Sequence, residues 1–564
     1  MSTASFLDHT PTALAFGTSG LRGLVKDITD LEAYINVSGA LQYLLDSGDI
    51  QAGGRVVLAG DLRPSTDRIM RACAHAIVDL GCQVENAGKI PTPALMAHCL
   101  SFGRPGVMVT GSHIPFDRNG IKVNKSVGEV LKTDEAGITR EVERVRAAEY
   151  GRTAPASRFD AAGMLKRPSD LPPIDSGGED GYVRRFVGSF ASGGLAGLRV
   201  LVYQHSAVGR DLLPRILREL GADVCTASRS ETFVPIDTEN IADEELDRLE
   251  KLAGAAEGDG PLDAIVSTDG DSDRPLVIAV LPAAEVGAGG RRVRFLSGDL
   301  LGIVVAEYLG ADAAAVPISS NDAVERRMAE RGVFLRTTRI GSPYVVAALS
   351  EMRSAGGHSR IVGWEANGGF LTQSDIPLAA GTLAALPTRD STLPILANLF
   401  AANEQRVGLA GLWSRLPARF GRAGLCDNVP VAASQAILAR LMPDDGPIEV
   451  AFQAGGRVYG GREPGPGAAP LAGMAAAAWL ERKATLSRFF TPALGFDEIV
   501  RINVLDGVRI FFASGDVAHV RPSGNAPQLR IYANSDSQAR ADQIVELALQ
   551  EPQGILRQML STFP

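Results

Sequence analysis

Short apolar runs, each followed by a polar or glycine-rich segment, recur along most of the 564-residue chain. The run Val107–Val109 predicts a buried strand, and the glycine and proline after it predict a loop that presents Ser112. Open α/β sheets hold ligands at such strand ends. Read alone, this loop is equally well an ordinary connection, with Asn119 and Gly120 forming a tight turn before Lys122.

The same alternation predicts an α/β order up to about residue 425 and an α+β order beyond it. A segment rich in Pro, Ser, Gly and Asp at 151–180 is typical of a linker. Residues 453–475, rich in Gly, Pro and Ala, are predicted to be a loop or insertion. The predicted strands lie at 55–61, 107–109, 199–203, 314–318, 508–512, 517–520 and 529–532. Helices are predicted near 134–150, near 209–220 and near 536–560. Three further helices are predicted to begin at Ser65 or Thr66, after residues 297–299, and at Asn321.

Composition narrows the class of protein. A chain that is 45% hydrophobic and 21% charged is ordinary globular material, and its net charge of −9 argues against non-specific nucleic-acid binding. Five scattered cysteines without a CxxC pair suit a reducing compartment and argue against a zinc site. The N-terminus lacks the features of a signal peptide, and no apolar run has the length of a membrane span. We therefore expect a soluble, cytoplasmic protein with neither nucleic acid nor membrane as a partner.

The loop after the apolar run at 265 carries carboxylates at every second position: Asp269, Asp271 and Asp273. Three acids so close repel one another unless a cation joins them, and oxygen ligands alone favour Mg²⁺ or Ca²⁺. An EF-hand loop is disfavoured, because Arg274 and Val280 stand where that loop needs Gly and Glu. A solvated acidic turn is the other alternative. Arg274 suits a substrate phosphate beside a metal.

Two further segments are suited to phosphate. The glycines around Arg22 expose backbone N–H groups beside a guanidinium, which is a weak signal by itself. Near the C-terminus, Arg521, Ser523 and Arg530 offer two guanidinium groups and a hydroxyl that can surround a phosphate dianion.

A polar, glycine-flexible loop follows the apolar run at 361. Its Glu365 and Asn367 could hydrogen-bond adjacent sugar hydroxyls, although a structural turn is an equally fair interpretation. Gly341 and Ser342, which precede another apolar helix, are added to the substrate-binding candidates.

Together, five segments in this order resemble the α-D-phosphohexomutase superfamily, most of all its bacterial phosphomannomutase/phosphoglucomutase branch. The resemblance covers nearly the whole chain. The segments are Gly-Thr-Ser-Gly-Leu-Arg-Gly at 17–23, Thr-Gly-Ser-His-Ile-Pro at 110–115, Asp-Gly-Asp-Ser-Asp-Arg at 269–274, Glu-Ala-Asn-Gly-Gly at 365–369 and Arg-Pro-Ser-Gly-Asn-Ala-Pro at 521–527.

The resemblance implies three related α/β/α sandwich domains plus a C-terminal α+β domain around a central cleft. We place them at 1–160 (phosphoserine loop), 175–300 (metal loop), 301–425 (sugar loop) and 426–564 (phosphate loop). The implied metal is Mg²⁺, and a hexose 1,6-bisphosphate is the implied activator and intermediate. The implied metal ligands are Ser112, Asp269, Asp271 and Asp273. The implied substrate-binding residues are Arg274, Gly341, Ser342, Glu365, Asn367, Arg521, Ser523, Gly524, Asn525 and Arg530.

The implied activity interconverts a hexose 1-phosphate and its 6-phosphate, with mannose favoured and glucose also accepted. Ser112 would carry the phosphoryl group, while His113, Lys122 and Arg22 would supply charge and handle protons. Only His113 has an unperturbed pKa near neutrality. The expected partner is a small phosphosugar, and the expected assembly is a monomer or homodimer.

This chain departs from the family pattern near the nucleophile and in the sugar loop. Ile114 replaces the usual Asn. In the sugar loop, Asn367 and Gly369 replace the Ser and His of Gly-Glu-x-Ser-Gly-His. In the phosphate loop, Asn525-Ala526 stands where Thr-Glu is common. Ile114 and the missing histidine of the sugar loop keep one alternative open, a catalytically idle phosphosugar-binding relative. A phosphoglucosamine mutase is a second alternative, which is disfavoured because the sugar loop of that enzyme usually keeps the Ser-Gly-His pattern.

Overall fold

The computed structural model of this protein describes residues 6–10, 12, 14, 16–17, 20–239, 241–286, 290–443, 446–461, 468–523 and 527–563. The chain divides into two compact units, Met1–Ala314 with Gly341–Arg415, and Ala315–Ile340 with Leu416–Pro564. Within the described residues, no helix has both the length and the apolar character needed to cross a membrane. In chain order, three mixed α/β/α domains precede a C-terminal domain built on an antiparallel sheet.

The first domain is built on a seven-stranded sheet. Arg55–Gly60 lies parallel to Gly106–Val109, which pairs antiparallel with Arg118–Lys125. The helix predicted after Ser65 buries Ile69 and Ile77 on one face, as helical spacing requires. Across the sheet the strands are Phe16–Gly17, Gly20–Leu24, Arg118–Lys125, Gly106–Val109, Arg55–Gly60 and Gln83–Lys89, with Gly128–Glu129 beside Arg118–Lys125. The helices are Asp30–Asp46, Thr66–Asp79, Thr92–Phe102 and Glu135–Tyr150.

The second domain has a five-stranded sheet in which Ala264–Thr268 is central. This strand is parallel to Arg199–His205 and antiparallel to Pro275–Val280, with Thr268 opposite Pro275. The acidic segment is therefore the connecting loop of a hairpin. Across the sheet the strands are Val293–Phe295, Pro275–Val280, Ala264–Thr268, Arg199–His205 and Asp223–Arg229. The helices are Gly177–Val187, Leu212–Glu219 and Asp243–Ala256.

In the third α/β segment, Ile361–Trp364, Phe370–Thr372 and Leu386–Asp390 form consecutive antiparallel pairs in the first unit. The same unit holds the short hairpin of Ile376–Pro377 and Thr382–Leu383 and the helices Gly298–Tyr308, Ser342–Ala355, Thr392–Glu404 and Leu409–Trp413. Helix Asp322–Glu330 and strand Phe334–Thr338 belong to the second unit. In strand Ala313–Pro317, residues 313–314 belong to the first unit and residues 315–317 to the second.

The C-terminal domain is an eight-stranded antiparallel sheet packed against helices. Aromatic rings of Phe490, Phe496 and Phe512 lie with centroids 5.0–5.7 Å apart in its core. Across the sheet the strands are Phe420–Cys426, Leu529–Ser535, Val517–Pro522, Val508–Phe512, Ile499–Asn503, Glu449–Gln453, Arg457–Gly461 and Ala469–Leu471. The helices are Val431–Leu441, Gly473–Leu486, Gln538–Leu549 and Ile555–Thr562.

The tight turn predicted at Asn119 and Gly120 is wrong, because both residues lie inside the strand Arg118–Lys125. Gly120 pairs with Arg22 on the neighbouring strand, and a Cβ there would lie 2.4 Å from the carbonyl oxygen of Leu21. Glycine at this position is explained by the close approach of two backbones, which is a common reason for a glycine inside a strand.

Two predictions in the C-terminal part also need correction. The segment 453–475 is not a loop throughout: Arg457–Gly461 forms a hairpin with Glu449–Gln453, and a helix begins at Gly473. Pairing with a neighbouring strand outweighs the low strand propensity of glycine here. The single helix predicted at 536–560 is two helices, interrupted at 550–554, where Pro552 has no N–H to continue the helical pattern.

Candidate active site

Ser112 lies directly after the strand Gly106–Val109, as the sequence predicts, and its side chain is buried. Its φ of +54° is unusual for a residue that carries a Cβ. The backbone N–H donates to Thr110 Oγ1 at 2.8 Å, and the Oγ–H donates to Asp269 Oδ2 at 2.8 Å. The strained loop therefore aims one hydroxyl at the acidic hairpin of the second domain.

Arg63, which the sequence analysis does not single out, donates hydrogen bonds to the backbone of this loop. Its five N–H donors make five hydrogen bonds, and no part of its side chain is exposed. Nε donates to Asp61 Oδ2 at 3.1 Å, and the ring of Phe233 lies 3.8 Å from the guanidinium carbon. The other four bonds reach the carbonyl oxygens of Ser112, Ile114, Pro115 and Arg118 at 2.6–3.1 Å.

The three aspartates are buried, and one oxygen from each lies within 4.8 Å of the others. Protein donors reach both oxygens of Asp269 but only one oxygen of Asp271 and one of Asp273. Asp269 Oδ1 accepts the backbone N–H groups of residues 273 and 274, at 3.1 and 3.2 Å. Asp271 Oδ2 accepts Thr92 Oγ1 and Lys122 Nζ, both at 2.7 Å. Asp273 Oδ2 accepts Arg389 Nη2 at 2.8 Å and Lys122 Nζ at 3.3 Å.

The remaining oxygens fit a divalent cation. Among the described residues, Asp271 Oδ1 and Asp273 Oδ1 are buried atoms without a hydrogen-bond partner. Burial, together with the charges of Asp271 and Asp273, raises the pKa of Asp269 well above its usual value. Burial opposes ionisation of Asp271 too, but Lys122 holds the pKa of Asp271 below its usual range. An all-oxygen set with two unsatisfied, oriented carboxylate atoms is the donor chemistry that Mg²⁺ prefers.

Basic groups surround this cluster. Burial lowers the pKa of Lys122, but Asp271 and Asp273 more than offset this and raise it overall. Burial, then repulsion from Arg274 and from Arg389, lowers the pKa of Arg22.

His113 does not keep the near-neutral pKa of a free imidazole. Burial, and then the positive charges of Arg274 and Arg22, lower the pKa of His113 to about 3. Its ring is therefore neutral at pH 7. Its Nδ1 is buried and accepts no hydrogen bond from any described residue.

The sugar-loop candidates lie in the same unit. Glu365 Oε2 accepts Arg389 Nη1 at 3.0 Å, which ties this loop to Asp273 through one guanidinium. Asn367 Oδ1 accepts the N–H of Gly369 at 2.9 Å, so this side chain shapes its own loop. Ser342 Oγ donates to Glu129 Oε2 at 3.3 Å. Gly341 precedes this helix with a φ of +128°.

In the second unit, Arg521 and Arg530 face each other across the antiparallel pair of Val517–Pro522 and Leu529–Ser535. Each Nε is buried without a hydrogen-bond partner among the described residues. Like charges directly opposite each other destabilise a sheet unless an anion joins them. Ser523 N–H donates to Gln528 at 2.9 Å and closes the turn. Gly524 and Asn525 lie outside the described residues.

Comparison with known proteins identifies the family of this chain. Models of the phosphoglucomutase/phosphomannomutase family match in order: α/β/α domains I, II and III at 13–149, 180–280 and 297–420, and the C-terminal domain at 468–550. The chain is 35% identical over 534 residues to a phosphomannomutase of Sinorhizobium fredii, covering 95% of this chain and 98% of the relative. It is 34% identical over 544 residues to a phosphomannomutase of Salmonella muenchen, covering 95% of each.

The chain belongs to the phosphoglucomutase/phosphomannomutase family. It is thus a phosphohexomutase of the α-D-phosphohexomutase superfamily. Its fold is similar to the crystal structure of a putative phosphomannomutase from Thermus thermophilus, with a TM-score of 0.62 and 18% identity, covering 95% of this chain and 98% of that one.

For this phosphohexomutase, the structure brings Ser112 together with the three aspartates and Lys122, and it links Glu365 to Asp273. The sequence analysis missed three residues that touch this cluster or the Ser112 loop: Thr92, Arg63 and Arg389. A usable signal existed for Arg63 alone, because it follows the strand Arg55–Gly60 in a polar loop like those of the other site residues.

We expect Arg63→Ala to lower the Tm by roughly 6–20 °C. Removing one partner of a buried ion pair costs about 3–5 kcal/mol, and each kcal/mol corresponds to about 2–4 °C in a domain of 150–250 residues. Differential scanning calorimetry measures the effect. Arg55→Ala is the matched control, because this arginine is exposed and its contact with the buried Glu85 is long, at 3.7 Å, while Glu85 keeps His98 and Arg104 as partners. A variant Arg63→Ala that melts with the control would contradict the bracing role.

Proposed function

We propose that this phosphohexomutase interconverts hexose 1-phosphate and hexose 6-phosphate, with mannose as the preferred sugar and glucose as a second substrate. The observation that carries the proposal is the buried Ser112 hydroxyl, 2.8 Å from Asp269 within the acidic cluster. Such a hydroxyl is suited to carry a phosphoryl group beside a divalent cation. The preference for mannose rests on two nearly full-length relatives named phosphomannomutase.

In the proposed reaction, phosphorylated Ser112 donates its phosphoryl group to the free hydroxyl of a hexose monophosphate. The serine Oγ–P bond breaks, a P–O bond to the sugar forms, and the proton of the sugar hydroxyl ends on Ser112 Oγ. The resulting hexose 1,6-bisphosphate reorients, and its other phosphoryl group returns to Ser112. Asp269, Asp271 and Asp273 would hold Mg²⁺, which, when bound, offsets negative charge on the transferring group.

The surrounding residues divide the remaining work. Lys122, whose pKa is raised by Asp271 and Asp273, stays protonated and stabilises charge. Nδ1 of His113 can accept a hydrogen bond from the sugar hydroxyl, but with a pKa of about 3 the ring is only a weak base for the sugar proton. Arg22 and Arg274 add positive charge at the cluster. Glu365 and Asn367 are the proposed sugar-loop residues, with Gly341 and Ser342 as further substrate contacts.

Binding of the phosphate that is not transferred is the role we propose for the arginine pair of the second unit. Arg521 and Arg530 each keep a buried Nε that makes no hydrogen bond to a described residue, and the nearest carboxylate oxygen to Arg521 Nε is Asp506 Oδ1, at an ion-pair distance of 3.7 Å. A phosphate dianion accepts hydrogen bonds from two guanidinium groups at once and removes their mutual repulsion. Ser523 is assigned to the same site, as are Gly524 and Asn525 by sequence alone.

A substrate panel tests the proposed activity. Mannose, glucose and glucosamine 1-phosphates are compared by kcat/KM, with Mg²⁺ and the matching hexose 1,6-bisphosphate present. We expect the largest value for mannose and a measurable value for glucose. A clear preference for glucosamine would instead make the protein a phosphoglucosamine mutase, and no turnover of any of the three would overturn the proposal.

We expect Ser112→Ala to abolish steady turnover, because the variant has no oxygen to carry the phosphoryl group. Intact-protein mass spectrometry after incubation with hexose bisphosphate should find one labile phosphate on the parent protein and none on the variant. Ser101→Ala is the matched control, since that exposed hydroxyl donates only to a carbonyl of its own helix. Turnover by Ser112→Ala within a few-fold of the control excludes a phosphoserine mechanism.

We expect Arg521→Ala to raise KM for the hexose phosphate and to change kcat little. If Arg521 binds the substrate phosphate equally strongly in the ground state and the transition state, its removal weakens substrate binding and raises KM without changing kcat. Steady-state kinetics separate the two parameters. Arg422→Ala, an exposed arginine on the strand Phe420–Cys426 of the same sheet, is the control. A lower kcat at unchanged KM would argue against a simple grip.

A further inference from the structure

Gly369 stands where the sugar loop of the family commonly has a histidine, and the structure gives a steric reason. A Cβ at this position would lie 2.6, 2.7 and 2.8 Å from Cδ, Cγ and Cβ of Arg389. These distances are too short for any side chain, and the obstructing atoms belong to the root of Arg389 rather than to its mobile tip. The stem of Arg389 therefore fills the volume beside residue 369.

The guanidinium of Arg389 joins the two functional loops. Nε and Nη2 donate to Asp273 Oδ2 at 3.1 and 2.8 Å, and Nη1 donates to Glu365 Oε2 at 3.0 Å. The arginine is buried, with 7% of its surface exposed. The N–H groups of a planar guanidinium point in fixed directions, so this one arginine orients both carboxylates.

The strand that carries Arg389 is itself held on both sides. Thr388 Oγ1 donates to Glu129 Oε1 at 2.5 Å, and Ser391 Oγ donates to the carbonyl oxygen of Ser272 at 2.7 Å. Ser272 lies inside the acidic loop. The arginine thus lies two residues before a serine whose side chain hydrogen-bonds to the loop whose carboxylate the arginine orients.

We propose that Arg389 is a positioning residue that sets the affinity of the acidic cluster for its cation and, through Glu365, the affinity for the hexose. By occupying Asp273 Oδ2, it leaves Oδ1 as the atom available to a cation, and by holding Glu365 it presets the sugar loop. Residue 369 must be a glycine for Arg389 to take this position, because any side chain at 369 would overlap the stem of the arginine. The proposal rests on the proposed function, which it extends by a residue that links the two binding steps.

Two binding measurements test the proposal in Arg389→Gln, with Arg291→Gln as the matched control. Arg291 lies in the same unit and pairs at the surface with Asp243 and Asp247. We expect the Kd for Mn²⁺, measured by electron paramagnetic resonance without substrate, to rise about tenfold or more, as for other residues that orient metal ligands. We also expect KM for the hexose phosphate to rise. Arg389→Lys should recover part of one effect but not both, because Arg389 reaches Glu365 and Asp273 with different nitrogens, whereas a lysine carries all of its donors on one nitrogen.

A double-mutant cycle tests the requirement for glycine at position 369. Gly369→Ala should weaken Mn²⁺ binding in the parent protein, because the new Cβ displaces the arginine stem. In the Arg389→Ala background, which removes two of the three close contacts, the same substitution should weaken Mn²⁺ binding less. Equal effects in both backgrounds would remove the steric argument.

The outcomes separate this proposal from the proposed function. If Arg389→Gln binds Mn²⁺ and hexose phosphate as tightly as the control while the parent protein is an active mutase, the positioning role is overturned and the function stands. If the parent protein shows no mutase activity but Arg389→Gln loses Mn²⁺ affinity, the function falls, and the link to the cation site stands without the link to the hexose.

Discussion

Three buried carboxylates within 4.8 Å of one another are the constraint around which the rest of the candidate site is arranged. Without compensation, such a cluster would be strongly destabilising, since burying like charges costs several kcal/mol per ion. The protein compensates on one side of each carboxylate, with backbone N–H groups at Asp269, Lys122 and Thr92 at Asp271, and Arg389 at Asp273. The opposite side of Asp271 and Asp273 is left without a donor among the described residues. This asymmetry is what makes the cluster a candidate cation site and not merely a buried ion network.

The fold supplies the cluster from strand ends. Ser112 follows a strand that runs parallel to its neighbour in the first sheet, and Asp269 follows a parallel strand of the second sheet. Polar loops at the carboxyl ends of such strands are where α/β proteins place ligands. Arg63 fixes the loop that carries Ser112, and Arg389 fixes the acidic loop. Each arginine satisfies acceptors from more than one loop, so local geometry at the site depends on distant parts of the first unit.

Much of the fold and of the candidate site could be predicted from the sequence. The features that could not be predicted depend on contacts between residues that are far apart in the chain. Ser112 and the three aspartates are recognisable because each follows a short apolar run within a few residues, and local order is encoded locally. Arg389 could not be predicted as a partner of Asp273, since 116 positions separate them and only the packed sheets bring them together. The pKa of His113 was likewise out of reach, because burial and two arginines from other loops lower it. The turn assigned to Asn119 and Gly120 failed because the close approach of two backbones, rather than turn geometry, requires that glycine.

The most direct test of the account is anomalous diffraction from crystals of the protein equilibrated with Mn²⁺ as a stand-in for Mg²⁺. The account predicts one strong peak bound by an oxygen from each of Asp269, Asp271 and Asp273, at about 2.0–2.3 Å as expected for a hard divalent ion. It also predicts that Ser112 Oγ, or a phosphate on it, lies at the same ion. A peak held by other residues, or no peak at this cluster at saturating Mn²⁺, would contradict it.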